Sequence, residues 1–453
     1  MLSRLEMSDL ERRSRYRWVL DSDQLIVQPS FGALFGEIKM KILLIGYYGK
    51  HNIGDDLFVH QLSRLLSQQS SVEQVTFLCD SLSYHFEHPK IRYCSTQRLN
   101  RLQRLALIAK HDVIAWGGGT LAIHDKPLSL LRMQSAARYL RKPFYFLGVG
   151  LDGISEGQQQ LGLQVFKNAT AILARDQISF QYAQNLDPSQ SRTYLGGDLA
   201  FLDLSLYRPF IQRRGKERLA EPDTQPFRHV SVTGKFWWGG GRAEFYAAQL
   251  LPLMEKYGTH IHLLPAQQQA GELNDNHFHQ RLLKHLPADQ VTIYEDLSPL
   301  DYIDRLSRMD FHVGNRLHSV ILAEILGVPS IGIDESGKKI DNFIQKTEVL
   351  TDLRRVSFMQ EIPLATFEKI HREYRHPIQF VQSESRMARQ GLATLLQLEI
   401  QHQSFEDLGA MVLDEATVST EQKHGDLAAP QELDRGAADD EVTDTAMAVG
   451  PHQ

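Results

Sequence analysis

Residues 40–56 read MKILLIGYYGKHNIGDD, a strand-like apolar run that ends in a glycine-containing loop. A helix-like segment follows at residues 57–66, so the stretch has the form of a strand, a loop and a helix. The same order recurs along the chain, with strand-like runs at residues 75–79, 113–116, 144–147 and 171–174. This alternation is typical of βαβ units, and it predicts a mostly parallel sheet with helices on both faces.

The alternation stops after residue 203 and resumes near residue 229. Residues 207–227 are rich in Arg, Pro, Glu and Gly, a composition that predicts an interdomain connection. Beyond it, further strand-like runs occupy residues 229–232, 260–264, 290–293, 310–313 and 329–333. The sequence therefore predicts a second α/β unit like the first.

We predict two Rossmann-type domains that face a central cleft, the architecture called GT-B. The N-terminal domain covers residues 40–206 and the C-terminal domain residues 228–400. The helix-like stretch at residues 383–400 is expected to pack back across the two domains. In folds of this kind, ligands bind at the carboxyl ends of the strands, so the motifs that follow the strands are the candidates for a site.

The two ends of the chain differ from this pattern. Residues 1–39 form an N-terminal extension with no apolar run of leader length, and no segment is apolar over a membrane-spanning length. Residues 401–453 hold 12 Asp or Glu against one Lys and one Arg, which predicts a disordered acidic tail. The formal charge of −6 therefore comes from the tail, and the first 400 residues carry +4.

Charge and cysteine content limit the classes of function. A charge of +4 over the first 400 residues falls short of the concentrated basic face expected of a nucleic-acid binder, so nucleic acid is not an expected partner. Cys79 and Cys94 form no CxxC pair and have no histidine at ligand spacing, which argues against a zinc site and a disulfide framework. We expect a cytoplasmic protein, and peripheral attachment to the inner face of the membrane stays open.

The loop after the first strand, GYYGKHNIGDD at residues 46–56, offers side chains to a polar ligand. Asn52 and Asp55 are the candidates for hydrogen bonds to sugar hydroxyls. The alternative is a plain strand-to-helix loop in which Asn52 bonds its own backbone and Asp55 or Asp56 caps the helix.

A second loop, WGGGT at residues 116–120, also follows a strand. Three consecutive glycines, Gly117, Gly118 and Gly119, carry a large cost in conformational entropy, so a purely structural turn seldom needs them all. We expect a close approach of this backbone to a ligand or to the facing domain.

Cationic residues also follow strands. Arg175 ends one strand, and a guanidinium there can fork onto a carboxylate or a phosphate. The alternative is a structural ion pair with Asp176 or Asp198, and for Asp198 we favour a role in orienting a loop. Lys235 closes the first strand of the second domain beside aromatic residues suited to stacking on a sugar ring, and an ordinary loop is the alternative.

The tripeptide Arg316-Leu317-His318 places a cation and a titratable base between a strand-like run and a helix-like run. The N-terminus of a helix favours an anion, and imidazole exchanges protons near neutral pH. Lys339 lies at the start of a later helix, which also suits an anion. The structural alternatives are a capping role for the tripeptide and a solvated side chain for Lys339.

Taken together and in this order, these segments resemble the polysaccharide pyruvyl transferase family over residues 40–345. The resemblance is carried by G-x-x-x-x-x-N-x-G-D from Gly46, the glycines at 117–119, R-D-x-x-S at 175–179, Asp198, R-L-H at 316–318, G-V-P at 327–329 and K-x-x-x-F at 339–343. As a set these motifs are fairly specific, although each alone is weak.

The resemblance implies a GT-B-like fold, phosphoenolpyruvate as the donor substrate and a ketal-linked pyruvate on a saccharide as the product. It implies no metal and no cofactor, an acceptor side in the N-terminal domain and a donor side in the C-terminal domain. The predicted catalytic residues are Arg175 and Arg316 as ligands of the donor anions and His318 as acid or base. The predicted substrate-binding residues are Asn52, Asp55, Gly117, Gly118, Gly119, Asp198, Lys235 and Lys339. The acceptor is either lipid-linked, nucleotide-linked or polymeric.

The shared architecture leaves a nucleotide-sugar glycosyltransferase or epimerase as the alternative. Glycosyltransferases of this fold often place a glutamate early in the helix before a G-x-P turn, where it holds ribose. Here Glu324 stands three residues before Gly327 and the position five before is Leu322, which disfavours this alternative. A non-catalytic saccharide-binding protein is a further alternative, against which the number of cationic motifs argues.

Overall fold

The computed structural model describes residues 16–21, 24–29, 39–80, 85–121, 127–151, 159–186, 192–220, 226–335 and 339–396. Within these ranges the chain forms two parallel sheets covered by helices, which confirms the predicted GT-B-like class. The N-terminal extension contributes an antiparallel pair, β1 (Tyr16–Asp21) and β2 (Gln24–Pro29). The predicted acidic tail lies outside the described residues. No helix in the described part of the chain is long and apolar enough to cross a membrane.

The first sheet has seven parallel strands: β3 (Met40–Ile45), β4 (Val72–Cys79), β5 (Ile91–Ser95), β6 (Val113–Gly117), β7 (Phe144–Val149), β8 (Ala171–Ala174) and β9 (Thr193–Leu195). Their helices are α1 (Ile53–Gln68), α2 (Arg101–Lys110), α3 (Pro127–Tyr139), α4 (Gln159–Lys167) and α5 (Gln177–Leu186). The order in the sheet is β5-β4-β3-β6-β7-β8-β9. The order reverses between β3 and β6, and this switch point is where ligands bind in such sheets.

The second sheet has six parallel strands: β10 (His229–Thr233), β11 (His260–Leu263), β12 (Val291–Ile293), β13 (Phe311–Gly314), β14 (Ser330–Asp334) and β15 (Arg355–Ser357). The helix α6 (Arg208–Ala220) precedes it, and the later helices are α7 (Gly240–Tyr257), α8 (Asn276–Leu283), α9 (Pro299–Ser307), α10 (Leu317–Ile325), α11 (Lys339–Thr347), α12 (Thr351–Arg354), α13 (Leu364–Glu373) and α14 (Ile378–Leu396). The order is β12-β11-β10-β13-β14-β15, so its switch point lies between β10 and β13.

The central strands of the first sheet are apolar along most of their length, as expected where helices cover both faces of a sheet. In β3, Ile42 and Leu44 belong to one apolar cluster, whereas Leu43 and Ile45 belong to another. All six residues of β7 are buried. This two-sided burial fixes where each strand ends, and therefore fixes the loops at the carboxyl edge of the sheet.

The connection between the domains contains a regular helix, α6. Polar side chains of α6 bind the second domain, as in the ion pair between Arg213 Nη1 and Asp304 Oδ1 on α9, which lie 2.6 Å apart. Arg214 Nη1 donates to the Ser307 carbonyl at 3.1 Å. At the other end of the chain, α14 contacts the first domain, where Arg389 Nε donates to the Leu202 carbonyl at 3.0 Å. Both helices therefore help to fix the two domains relative to each other.

Candidate active site

The loop after β3 joins the two domains. Ile53 donates its N–H to the Ala266 carbonyl at 2.9 Å, and Asn52 Nδ2 donates to Gln267 Oε1 at 2.8 Å. Asn52 Oδ1 accepts the N–H groups of Gly54 and Asp55 at 3.1 and 3.4 Å, so this side chain also caps α1. Both polar ends of the Asn52 amide are engaged within the protein. Contact of Asn52 with a sugar stays a prediction. The alternative role, capping of α1 by this side chain, is present in the structure.

His318 lies in the first turn of α10 and contacts the first domain. Its Nε2 is 3.6 Å from Asp198 Oδ2, and its ring meets the Phe58 ring edge-on with centroids 5.1 Å apart. The imidazole lies against the Cα of Gly54, as shown by the distance of 2.0 Å between His318 Nδ1 and a Cβ built at Gly54. The second glycine of the N-x-G-D motif therefore leaves the space that the imidazole occupies.

Arg175 and His318 share one carboxylate, Asp198. Arg175 Nε is 3.6 Å from Asp198 Oδ2 and 3.4 Å from Asp176 Oδ2, and the Arg175 side chain is only 5% exposed. Asp198 also accepts the N–H of Ala200 at 2.8 Å, which caps a short 3-10 helix. Burial alone would raise the pKa of Asp198, but His318 and Arg175 outweigh it and hold this pKa below its ordinary value. An ionised Asp198 thus fixes both residues, and the predicted ion pair of Arg175 is present.

Asp55 is a second buried carboxylate beside His318. Burial raises the pKa of Asp55 from 3.8 to about 6, against the lowering effect of His318 and Arg175. Its Oδ1 lies against Gly119, since a Cβ built at Gly119 would be 2.6 Å from that oxygen. Asp55 is thus placed to change its protonation state near neutral pH.

The triple-glycine loop packs on the first domain itself. Tyr48 Oη donates to the Gly117 carbonyl at 2.6 Å, and the Phe58 ring fills the space where a Gly118 Cβ would stand. Gly118 and Gly119 both have φ of +75°, a left-handed conformation that favours glycine. The three glycines therefore closely approach side chains of their own domain. Contact of this backbone with a ligand stays a prediction.

Arg316 is held by a buried carboxylate that sequence analysis missed, Asp275. Arg316 Nε donates to Asp275 Oδ2 at 3.2 Å, and Nη2 donates to the other oxygen. Asp275 also accepts the N–H groups of Ala266 and Gln267 at 3.2 and 2.9 Å. Nothing in the sequence marks this pairing, which joins residues 41 positions apart. The role of Arg316 as an anion ligand stays a prediction.

Lys235 belongs to a second carboxylate-centred cluster that sequence analysis missed. Its Nζ lies 3.0 Å from Glu335 Oε2 and 4.9 Å from the ring centroid of Trp237. Glu335 also accepts the indole N–H groups of Trp237 and Trp238 at 3.3 and 3.1 Å. The Trp237 side chain is 48% exposed, and the Arg316 guanidinium stands 5.4 Å from its ring. The position of Glu335 directly after β14 is the signal that marks it for the site.

A small cavity that is open to solvent lies between the domains. Its walls combine the cations Arg175, Lys339 and Lys346 with the carboxylates of Asp176, Asp198 and Glu384. Lys339 Nζ also donates to Thr120 Oγ1 at 3.3 Å, a bond that crosses between the domains. The structure therefore brings Arg175, Asp198 and Lys339 to one cavity. His318 does not line it but contacts Asp198. Arg316 and Lys235 lie in the neighbouring cluster around Trp237.

The cleft therefore gathers cations, buried carboxylates and an imidazole at the boundary of the two domains. A family model described as polysaccharide pyruvyl transferase matches residues 52–337 of the chain. The matched region contains the N-x-G-D loop, the triple glycine, Arg175, Asp198 and the R-L-H tripeptide. The chain belongs to the polysaccharide pyruvyl transferase family. Membership confirms the resemblance seen in the sequence, supports a transferase activity and is consistent with a saccharide acceptor.

Solved structures with a similar fold include UDP-N-acetylglucosamine 2-epimerases. The enzyme from Rickettsia bellii aligns with a TM-score of 0.51 and 11% identity over 79% of this chain and 96% of its own. The enzyme from Methanocaldococcus jannaschii aligns with a TM-score of 0.50 and 13% identity over 77% and 99% of the two chains. At such identities the likeness shows the shared two-domain fold alone. A search of curated proteins gives no match.

Glu324 is the glutamate closest in sequence to the position where glycosyltransferases of this fold hold ribose. In the structure its side chain lies away from solvent. It is fully buried and forms an ion pair with Arg354, which is also fully buried. Tyr374 Oη donates to Glu324 Oε1 at 3.0 Å. A carboxylate committed to a buried cation and a phenol cannot hold a ribose in the cleft. The structure therefore weakens the nucleotide-sugar alternative.

The raised pKa of Asp55 makes stability depend on pH in a defined direction. Because the folded-state value of about 6 exceeds the ordinary 3.8, the folded protein holds this proton more tightly than the unfolded chain. The stabilising contribution of Asp55 is complete below about pH 4 and is lost as pH rises through about 6. Asparagine does not ionise, so Asp55→Asn does not lose this stability as the pH rises. Its free energy of unfolding should exceed the wild-type value by about 1–3 kcal/mol near pH 8, with no difference near pH 4.

Urea denaturation at several pH values measures this difference. Asp352→Asn is the matched control, because the Asp352 side chain is 92% exposed, and it should show no such trend. A difference between Asp55→Asn and the wild type that stays constant across pH would contradict the expectation.

Proposed function

We propose that the protein transfers pyruvate from phosphoenolpyruvate to two hydroxyls of a saccharide. Carbon 2 of the donor forms two C–O bonds to the acceptor, its bond to the phosphate oxygen breaks, and its double bond to the methylene carbon becomes single as that carbon gains a proton and becomes a methyl group. Each of the two hydroxyls loses one proton. One proton compensates for the proton that the methylene carbon gains, and the other leaves on the released phosphate. The observation that carries this proposal is the meeting of Arg175 and His318 at Asp198, beside a cavity also lined by Lys339.

The cavity suits a donor with a carboxylate and a phosphate. Arg175 offers a planar fork for a carboxylate or phosphate, and Lys339 adds a point charge from the start of α11. Lys346 is paired with Glu384 at 2.7 Å. Cations aimed at the departing phosphate stabilise the charge that develops as the C–O bond breaks. Arg316 is also assigned to the donor, on the basis of the R-L-H motif that the family resemblance carries, although it lies in the neighbouring cluster around Trp237. No metal and no cofactor take part in the proposed reaction.

Proton transfer falls to His318 and Asp55. His318 is the proposed acid or base, because imidazole gains and loses protons near neutral pH and Asp198 fixes one side of its ring. Asp55, with its pKa of about 6, is a second group able to accept a proton from a hydroxyl. Two proton-handling groups meet the requirement of a reaction in which two hydroxyls are deprotonated.

We place the acceptor sugar on the exposed face of Trp237, since aromatic rings stack on the apolar face of a pyranose. Trp237 belongs to the second domain, so this placement departs from the N-terminal acceptor side that the resemblance implies. Lys235 beside it would bind an acidic group of that acceptor. The acceptor is lipid-linked, nucleotide-linked or polymeric. Cys79 and Cys94 are both free, in keeping with a reaction placed in the reducing cytoplasm.

Acceptor-dependent release of phosphate from phosphoenolpyruvate tests this function. We expect phosphorus NMR to show release with at least one member of a saccharide panel and a loss of about 100-fold in Arg175→Lys, because lysine lacks the planar fork. Arg372→Lys is the control, since Arg372 is an exposed arginine of the second domain. Consumption of a nucleotide sugar with no release from phosphoenolpyruvate would instead favour the epimerase or glycosyltransferase alternative.

A further inference from the structure

Helix α2 carries an apolar stripe on its solvent side. Leu102, Leu105, Ala106 and Ala109 recur at the i, i+3, i+4, i+7 spacing of one helix face, and all four are exposed. Leu102 is 78% exposed and Leu105 is 42% exposed. The opposite side of α2 is the one that packs on the sheet, where Ile108 is buried. The helix is therefore apolar on two sides, and only one of them serves the core.

Cations surround this stripe. Arg98, Arg101, Arg104 and Lys110 are exposed on α2 or just before it. Helix α3, which packs beside α2, ends with Arg138 and with Tyr139, whose side chain is 86% exposed. Over residues 98–142 the sequence holds nine Lys or Arg and two Asp, with no Glu. The face combines exposed leucines and a tyrosine with a strong positive charge.

We propose that this α2–α3 face binds the surface of a bilayer that contains anionic lipids. Leucine side chains insert at the level of the acyl chains, and tyrosine is favoured at the headgroup level. Lysine and arginine near an anionic surface contribute about 1 kcal/mol each to attraction. Apolar side chains ringed by cations match such a surface, whereas a nucleic acid would leave the leucines exposed to water.

The face also has a defined relation to the cleft. Helix α2 begins after β5, at the carboxyl edge of the first sheet, and Leu102 lies in its first turn. The N-x-G-D and triple-glycine loops follow β3 and β6 at the same edge. Binding of this face to a bilayer would therefore hold the site close to the lipid surface. This inference does not depend on the proposed reaction, so each can fail alone.

Sedimentation of the full chain with vesicles tests the proposal. Phosphatidylcholine vesicles should bind weakly, and vesicles that also contain phosphatidylglycerol should bind strongly, with release at high salt. Leu102→Asn with Leu105→Asn, and separately Arg98→Gln with Arg101→Gln and Arg104→Gln, should each weaken binding by about 10-fold or more. These side chains are exposed, so the variants should keep the thermal stability of the wild type.

Leu273→Asn and Arg372→Gln are the matched controls, since both residues are exposed on the second domain, and they should bind as the wild type does. The proposal is overturned by a failure to bind anionic vesicles or by binding that the α2 variants leave unchanged. It is also overturned if light scattering finds a dimer that the leucine variants break, because the stripe would then be a self-interface.

Discussion

His318→Ala is expected to lower kcat for acceptor-dependent phosphate release by at least about 100-fold, the typical worth of a positioned acid or base. The imidazole stands between Asp198 and the Gly54 backbone, and alanine leaves no proton-transferring group at that position. Binding of the donor should change less than kcat, because Arg175 and Lys339 remain in the cavity. Steady-state kinetics at several donor concentrations separate the two effects.

The control for this variant is His285→Ala, at an exposed histidine of the second domain, which should retain wild-type kinetics. A His318→Ala enzyme with near-normal turnover would exclude His318 as the acid or base. A variant that raises KM alone would reassign His318 to substrate binding.

Gly54→Ala should lower kcat by about 100-fold without removing any functional group. A Cβ at this position would lie 2.0 Å from His318 Nδ1, so either the imidazole or the domain that carries it must move. A displacement of about 1 Å at a catalytic group costs on the order of 100-fold. Gly54 lies in the first turn of α1, where alanine is a better helix former, so stability should change little. Activity and thermal unfolding measured together distinguish displacement from loss of the fold.

Gly215→Ala is the matched control. Gly215 also lies within a helix, and no atom stands within 4 Å of a Cβ built there, so activity should be unchanged. Full activity in Gly54→Ala would show that the observed contact between the first domain and His318 is not needed in the reaction.

The fold could be predicted from the sequence because strands buried on both faces form continuous apolar runs that glycine or aspartate ends. Helix α6 was harder to predict, since the Arg, Pro, Glu and Gly content of residues 207–227 indicated only an interdomain connection and no helix within it. In the structure Arg213 and Arg214 are satisfied by Asp304 and by carbonyls of the second domain. Composition alone does not contain those partners.

The candidate site could be predicted in part. The cations at strand ends were visible because parallel strands bring their carboxyl ends to one edge. Their partners were not, because Asp275 pairs with Arg316 across 41 positions and Glu335 pairs with Lys235 across 100. Asn52 shows a further limit of prediction from sequence. An asparagine that hydrogen-bonds its neighbouring backbone and Gln267 stands in the same sequence pattern as one that binds a sugar.

Carbon NMR with phosphoenolpyruvate labelled at carbon 2 tests the central claim most directly. Pyruvyl transfer predicts that the label appears in a ketal carbon bonded to two oxygens of the saccharide, with a methyl group beside it. Label found only in free pyruvate would mean hydrolysis of the donor. Label in an enol ether, with the methylene retained and one bond to the acceptor, would contradict ketal formation.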